Sequence, residues 1–262
     1  MTKGSLRKTI FKFPSHNWRF PTWVFLLAVF PSLLIGNTTF AGPSEIDRGY
    51  HQAKTLLEFQ KIAEKIQKLI EKEPNESEWQ WRLSRSHYSM AKKSADEDTK
   101  NLHYDLCIDL SSQALEFKPN SAISFFYRGL CRGKQGEMKG IWASLGIIEP
   151  FEEDMKKAMK LDPTIEQGGP HRALGKLYLE LPFFLGGNNN QAVFHLEQAV
   201  RLGPEYAENH LGLAQAYYAK NNLISARKSL LTLMRLTNNV SDDEDLLSIR
   251  TKGQKLMNKL TK

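Results

Sequence analysis

The chain has seven histidines, from His16 to His210, and these side chains could bind a metal or act as an acid or base. A metal site built on one helix needs two ligands three or four residues apart, because only that spacing puts both on one face. No two histidines stand at this spacing, and the sequence contains no H-E-x-x-H motif. We therefore expect neither a metal site nor a cofactor, and we expect these histidines to lie on helix surfaces or in the core.

A run of three acids, Glu152-Glu153-Asp154, is the arrangement closest to a pair of catalytic carboxylates. Two carboxylates that share one reaction must face one cavity, but neighbouring residues on a helix point about 100° apart. The run also stands where a helix is predicted to begin, and acids there interact favourably with the helix dipole. Because the chain also lacks a G-x-S-x-G motif and a phosphate-binding P-loop, we expect a protein that is not an enzyme.

The two cysteines, Cys107 and Cys131, are equally distant from Pro119, which marks a predicted turn between two helices. Residues equidistant from the turn of an antiparallel helical hairpin lie level with each other, so a disulfide is one expectation in an oxidising compartment. The other is that both are small buried apolar residues, as unpaired cysteines commonly are.

A repeat in the sequence predicts the helices that position these side chains. Four amphipathic stretches end in proline at Pro74, Pro119, Pro163 and Pro204, which are 45, 44 and 41 residues apart. A period of this length is typical of a helical solenoid. Stacked helix pairs of this kind make extended surfaces rather than reaction centres.

Within a unit, small residues stand where two helices cross and larger ones surround them. In the fourth unit Gly175 and Ala192 are small and Tyr178 and Leu196 large, at the helix A and helix B positions of a tetratricopeptide repeat. No unit shows the alternation that strands need, so we predict an all-α, tetratricopeptide-like solenoid of four to five helix pairs. The predicted units are residues 45–74, 77–119, 121–163, 166–204 and 207–237, and a capping helix at 241–260 opens with the box Ser241-Asp242-Asp243-Glu244.

The first 41 residues have the three parts of an export signal. A basic start is followed by an apolar run over residues 23–35 and by Thr39-Phe40-Ala41, a small–x–small cleavage site. The run is shorter than the roughly 20 apolar residues that span a bilayer. We predict a signal peptide over residues 1–41, cleaved near Ala41, and a periplasmic domain over residues 42–262; an uncleaved anchor and a transit peptide are the alternatives.

Most of the net positive charge of the chain lies in this predicted signal peptide. The whole chain has 36 basic and 29 acidic residues, a net charge of +7, and five of the basic residues but no acid lie before residue 42. The remaining 31 basic residues give a net charge of +2. A nucleic-acid-binding protein needs a basic face on its folded domain, so nucleic acid is not a predicted partner.

The stretch GGPHRALGKLY at residues 168–178, continuing through Leu181-Pro182 and Gly186-Gly187 to Ala192, resembles one group of proteins. These are the periplasmic T-component proteins associated with TRAP transporters, a divergent tetratricopeptide family, and the similarity extends over residues 45–235. The resemblance implies an exported, all-helical, non-catalytic protein working beside a solute-binding protein and a permease that import small, often organic-acid or hydrophobic, solutes. Members are usually lipoproteins, and this chain lacks the lipid-accepting cysteine.

In stacked helix pairs the A helices line the concave side, and the register of the repeats places aromatic side chains and cations there. Such residues dominate protein contacts. The predicted groove residues are Trp81, Arg85, Tyr88, Phe126, Arg172, Lys176, Leu211, Gln215 and Tyr218. For Phe126 and Leu211 the alternative is the interhelical core. The segments inserted between helices are predicted to add contacts through Trp142, Phe183 and Phe184.

Two functions fit this surface. The first is an exported scaffold that binds a protein partner, a solute-binding or permease component of a TRAP-type system, and touches the membrane only peripherally. The second is a direct binder of a small apolar or anionic ligand, in a cavity closed by the groove and the inserted loops. An open trough would favour the first. We expect Arg172→Glu with Lys176→Glu to weaken partner capture without unfolding the domain.

Overall fold

The computed structural model describes residues 42–140, 145–239 and 243–260. The predicted signal peptide over residues 1–41, Trp142 of the inserted loop and Ser241 of the predicted capping box lie outside these ranges. Within them, none of the helices combines the length and the apolar composition that a membrane crossing requires.

The described residues form eleven α-helices and one 3₁₀ turn, without strands, so the predicted all-α fold is confirmed. The helices are α1 (Pro43–Gln52), α2 (Leu56–Ile70), α3 (Ser77–Lys93), α4 (Glu97–Phe117), α5 (Ala122–Lys139), α6 (Leu145–Leu161), α7 (Ile165–Glu180), α8 (Asn189–Leu202), α9 (Ala207–Ala219), α10 (Leu223–Leu236) and α11 (Glu244–Lys259), and the 3₁₀ turn is Phe183–Leu185.

Side-chain caps fix where several of these helices begin. Thr55 and Glu58 form a capping box at the start of α2, and Asp96 and Ser121 accept hydrogen bonds from the first turns of α4 and α5. Such caps satisfy backbone N–H groups that have no partner inside the helix. At α11 the cap is Asp243, whose carboxylate accepts from the N–H of Leu246, two residues after the predicted position.

Small residues let paired helices approach closely, as the repeat predicts. A Cβ on Gly175 of α7 would lie 2.5 Å from Cγ of Leu196 on α8, and a Cβ on Gly129 of α5 would lie 2.6 Å from Cε of Met155 on α6. The pairs α3–α4, α5–α6, α7–α8 and α9–α10 are the most extensive helix contacts of the described chain.

The stack is curved, with the first helix of each pair inside. The A helices α3, α5, α7 and α9 contact one another in turn, whereas in the described ranges the B helices α4, α6, α8 and α10 make no comparable contacts. The curve brings the end of α3 to the start of α11, where Lys92 lies 3.4 Å and Lys93 3.6 Å from carboxylate oxygens of Asp245. The A helices therefore line an inner surface.

The first predicted unit differs from the others. Helix α2 packs against α3, but α1 touches α2 only lightly, and its polar side chains reach across to α3 instead. Ile46 is the one buried residue of α1. The predicted unit 45–74 thus contains two helices, α1 and α2, but the polar side chains of α1 bind α3.

A disulfide joins Cys107 of α4 to Cys131 of α5, with the two Cα atoms 6.3 Å apart and both side chains fully buried. It links helix B of the second pair to helix A of the third. The bond therefore fastens neighbouring repeats to each other.

Candidate functional site

The inner face of α3 is where α1 is bound. The Asp47 carboxylate of α1 accepts from two guanidinium groups, 2.8 Å from Nη2 of Arg82 and 2.5 Å from Nη2 of Arg85. Burial raises the pKa of Asp47, but hydrogen bonds and charge from Arg82 and Arg85 outweigh it, so the pKa lies below its ordinary value. Arg82 has a second acid, since its Nη1 lies 2.8 Å from the carboxylate of Glu78.

Aromatic side chains surround these guanidinium groups. Arg85 stacks 3.8 Å from the ring centre of Tyr50 on α1, and Arg82 lies 4.2 Å from the ring centre of Trp81. The Tyr50 hydroxyl hydrogen-bonds Ser89 Oγ at 2.6 Å. Trp81 and Arg85 are 8% and 4% exposed, so the prediction that they stand open in a groove is wrong. Asp47 and Tyr50 of α1 cover Arg85, and Trp81 belongs to the hydrophobic core.

Further along the inner surface, the chain enters α7 through a left-handed turn. Glu166, Gln167 and Gly168 have φ of 48°, 59° and 76°. Glycine adopts this conformation freely, but a residue with a Cβ is destabilised there by about 1–2 kcal/mol. Two strained residues in succession persist only where their surroundings hold them. Pro170 follows at the start of the right-handed part of α7, a position that suits its fixed φ.

Buried polar groups clamp this left-handed turn. The amide of Asn209, which is fully buried, donates to the carbonyls of Gln167, Ala199 and Gly203 at 2.8–2.9 Å. Arg172 Nη1 donates to the carbonyl of Glu166 at 3.1 Å and to Asn209 Oδ1 at 3.0 Å. The turn is thereby tied to the first helix of the next unit.

Arg172 is therefore a structural residue as well as a lining one. It is 9% exposed, stacks 4.5 Å from the ring centre of Tyr206 and lies 3.6 Å from the carboxylate of Glu208. A glutamate in its place would leave the left-handed turn without its donor and set two acids together. The expectation that Arg172→Glu leaves the fold intact is therefore wrong.

Glu208 and Lys176 form an ion pair at the centre of this surface. Burial raises the pKa of Glu208, but the charges of Lys176 and Arg172 outweigh it and lower the pKa to about 2. Burial and the nearby Glu208 carboxylate raise the pKa of Tyr88 well above its ordinary value. Tyr88 and Lys176 thus lie where the groove was predicted, beside an acid that sequence reasoning did not select.

Two more tyrosines, Tyr127 and Tyr50, interact with Glu166 of the left-handed turn. The buried Tyr127 donates to the Glu166 carboxylate at 2.7 Å, and burial together with that carboxylate raises the pKa of Tyr127 well above normal. Burial raises the pKa of Tyr50, and Glu166 adds to this effect. We call the surface formed by Tyr50, Tyr88, Glu166, Arg172, Lys176, Tyr206 and Glu208 the inner groove.

The remaining predicted groove residues divide between core and surface. Phe126 and Leu211 are 2% and 6% exposed, and the ring of Phe126 fills the space beside Gly169. Both therefore belong to the interhelical core, and their assignment to the groove is wrong. Gln215 is exposed and Tyr218 is 40% exposed at the last helix pair.

The inserted loop before α8 points outward. Phe183 and Phe184 are 91% and 70% exposed, and the open cavity of about 450 Å³ at this loop is lined by Leu181, Phe183 and the segment 187–190. This arrangement does not favour a small ligand enclosed by the groove and the loops.

Two histidine pairs form across helices. Nδ1 of His87 on α3 lies 3.0 Å from Nδ1 of His103 on α4, and His171 on α7 and His195 on α8 repeat this geometry at the same distance. Burial, followed by the neighbouring ring, lowers the pKa of His87 and of His195 to about 4. The sequence test for histidines on a single helix could not detect pairs that form between two helices.

In the residues that the structure describes, no three or more histidine, cysteine or acidic side chains are grouped to hold a metal ion. The sequence did not reveal six residues that form or contact the inner groove or bind α1 to α3: Asp47, Tyr50, Tyr127, Glu166, Tyr206 and Glu208. A weak signal existed for Glu166, because a glycine two residues later and a proline two further on mark a turn before a helix.

Comparison with known proteins gives two family matches, each over somewhat less than half of the chain. The family described as TRAP transporter T-component matches residues 137–259. The family described as regulator of microtubule dynamics protein 1-3 matches residues 44–168. No curated protein matches the chain.

Solved structures identify the fold. TTC0263, a thermophilic TPR protein of Thermus thermophilus, aligns over 82% of this chain and 99% of that one with 16% identity and a TM-score of 0.61. YrrB, described as a TPR protein with an unusual peptide-binding site, aligns over 76% and 91% at 15% identity and a TM-score of 0.48. The chain is a tetratricopeptide-like protein that resembles the T-component family, as its sequence predicted.

Proposed function

We propose that this protein is an exported, non-catalytic scaffold that binds a protein partner in its inner groove, as an accessory of a TRAP-type solute transport system. The observation that carries the proposal is that the inner surface already holds a helix, α1, through acid, arginine and tyrosine contacts. A surface that holds one helix by these contacts suits a helix or extended segment of another protein. The transport role is supported by the T-component match over residues 137–259.

The accessible part of the groove is the place to test partner binding. Lys176 is partly exposed, with 34% of its side chain accessible, and Tyr218 stands open at the last pair. We expect Tyr218→Ala with Lys176→Gln to reduce capture of a TRAP solute receptor or permease at least tenfold. Tyr218 lies outside the core, whereas Lys176 is the ion-pair partner of Glu208, so Lys176→Gln should lower the thermal midpoint. Tyr218→Ala is therefore also measured alone, and it should weaken capture without changing thermal unfolding.

The matched control removes an aromatic side chain from the outside of the curve. Phe194 on α8 is 51% exposed, so Phe194→Ala makes a comparable truncation on a B helix. Capture should survive this change. Equal loss in both variants, or full capture by the groove variant, would count against the inner groove as the binding surface.

Export is tested separately from binding. Cell fractionation should place the protein in the periplasm, and sequencing of its amino terminus should begin at Gly42. If the isolated protein retains residues 1–41, this segment is an uncleaved anchor and not a cleaved signal peptide. The proposal about partner binding would be unaffected.

A further inference from the structure

A fixed turn between α7 and α8 holds two phenylalanine rings in solvent. Phe183 and Phe184 are 91% and 70% exposed. The turn has a defined backbone, because the carbonyl of Pro182 accepts from the N–H groups of Leu185 and Gly187 at 2.9 and 3.0 Å. A side chain at Gly187 would also collide with the backbone just after α7. The exposure of the two rings is therefore built into the turn.

The neighbouring turn, between α9 and α10, adds aliphatic side chains to the same edge of the stack. The two turns adjoin, because Asn189 lines the same open cavity as Phe183 and its amide donates to the carbonyl of Ala219 at 3.4 Å. Leu223 and Ile224, which begin α10, are 42% and 86% exposed. Single exposed apolar side chains are normal on a protein surface, whereas adjoining ones mark a surface that binds something.

The sequence that follows these apolar residues is basic. Between residues 209 and 241 the chain has four basic residues and no acid. Three of the four, Lys220, Arg227 and Lys228, are exposed and have no ion pair with a described residue. Arg227 and Lys228 share a face of α10 with Ile224, since they stand three and four positions after it. Apolar side chains and unneutralised cations therefore lie together on this edge.

We propose that this edge docks on the surface of an anionic lipid bilayer, with the phenylalanine rings among the lipid chains and the cations beside lipid phosphates. Aromatic and aliphatic side chains next to Lys and Arg are the composition of a surface that lies in a membrane interface. The rings protrude from a turn, and a bilayer accepts a protruding ring without offering a matching cavity. We call this surface the lipid edge; it consists of Phe183, Phe184, Lys220, Leu223, Ile224, Arg227 and Lys228.

The lipid edge goes beyond the proposed function, because it is a different surface from the inner groove. Vesicle sedimentation tests it. Residues 41–262 form a compact unit of their own, so the protein of residues 42–262 is used, without the apolar run of the predicted signal peptide. It is sedimented with vesicles of phosphatidylcholine alone and with vesicles of equal parts phosphatidylcholine and phosphatidylglycerol.

We expect at least tenfold stronger binding to the vesicles that contain phosphatidylglycerol. Sodium chloride should weaken this binding, because salt screens the attraction between exposed charges. Equal binding to the two kinds of vesicle, or binding to neither, would overturn the inference.

The apolar contribution is measured with the variant Phe183→Ser with Phe184→Ser, which should bind the anionic vesicles at least tenfold more weakly. Leu57→Ser is the matched control, since Leu57 on α2 is 58% exposed, and it should bind as the unaltered protein does. These side chains lie on the surface, so thermal unfolding should confirm that each variant is folded. Unchanged binding in the phenylalanine variant would refute the lipid edge.

The basic contribution is measured with Lys220, Arg227 and Lys228 all replaced by glutamine. This variant should also bind at least tenfold more weakly, and its remaining binding should no longer depend on salt. The control removes three exposed lysines of α2 in the same way: Lys61, Lys65 and Lys68. Equal loss in the two triple variants would mean that total charge and not the lipid edge decides the binding, which would overturn the inference.

Insertion of the turn has its own readout. In the variant Phe183→Trp, the fluorescence of the added indole should be quenched by anionic vesicles whose lipid chains carry bromine, whereas the indole of Leu57→Trp should not be quenched. Equal quenching at both positions would indicate adsorption without orientation and would refute the lipid edge.

Capture of a solute receptor or permease in detergent separates this inference from the proposed function. Loss of capture in the variant Phe183→Ser with Phe184→Ser, without vesicle binding by the unaltered protein, would overturn the lipid edge in favour of a protein contact. Tyr218→Ala should lose capture and retain vesicle binding, because the two surfaces act independently. Vesicle binding without any capture by the unaltered protein would support the lipid edge and refute the transport role alone.

Discussion

The two histidine pairs predict a specific sensitivity to mild acid. In the folded protein His87 and His195 have a pKa of about 4, whereas an unfolded histidine has a pKa of about 6.5. Because the folded pKa is the lower one, the unfolded chain binds more protons between these values. The free energy of unfolding is therefore highest above about pH 6.5, falls as the pH decreases, and reaches its full loss below about pH 4.

The magnitude follows from the size of the shift. At pH 5.0 the unfolded histidine lies about 1.5 pH units below its pKa and is almost fully protonated, while the folded ring is still mostly neutral. At about 1.4 kcal/mol per unit, each of the two rings contributes a loss of about 2 kcal/mol. His87 and His195 are both 7% exposed, so solvent screens neither effect strongly. We expect these two rings together to cost the protein about 4 kcal/mol between pH 7.5 and pH 5.0. Burial also lowers the pKa of His103 and His171, which adds to the loss.

The assay is urea unfolding followed by far-ultraviolet circular dichroism at both pH values. His87→Gln and His195→Gln should each reduce the pH-dependent loss by about 2 kcal/mol, because the amide side chain does not titrate. His51→Gln is the control, since His51 is an exposed histidine on α1, and it should retain the full loss. An equal pH dependence in the double variant and the unaltered protein would refute the reasoning.

Three further predictions concern the repeat junctions. Replacing both Cys107 and Cys131 by serine should lower the free energy of unfolding by about 3 kcal/mol, because the disulfide closes a loop of 24 residues. In this variant dithiothreitol should no longer change the urea midpoint. Gly175→Ala should cost about 1–3 kcal/mol in thermal unfolding, since its Cβ would lie 2.5 Å from Cγ of Leu196. Asn209→Ala should remove the side-chain donor of the Gln167 carbonyl and an acceptor of Arg172, at a cost of about 1–3 kcal/mol, and speed hydrogen exchange in the left-handed turn.

The repeats could be predicted from the sequence because their contacts are short in range. The close approach of Gly175 to Leu196 joins residues about twenty apart, inside one helix pair. The choice of a small residue on one helix and a large one on the next is therefore visible as a repeating pattern. The position of α1 was not visible in this way, because a ten-residue helix with one buried side chain gives no pattern that identifies its neighbour.

The groove was harder to predict because it depends on helical register. Neighbouring residues on a helix point about 100° apart, so an error of one residue in the register exchanges the contacts expected of Phe126 and Tyr127. Phe126 packs against Gly169, whereas the Tyr127 hydroxyl reaches Glu166. Both are aromatic, and the sequence pattern alone does not separate them.

The groove cations show what a charge count can and cannot reveal. Arg85 pairs with an acid 38 residues away and Lys176 with one 32 residues away, so the sequence does not identify either partner. A domain with 31 basic and 29 acidic residues nevertheless has enough acids to pair most of its cations. An acidic partner gains little from a cation that is already paired, because it must first displace the internal acid. The number of basic residues that line the surface therefore does not by itself predict that the surface binds an acid.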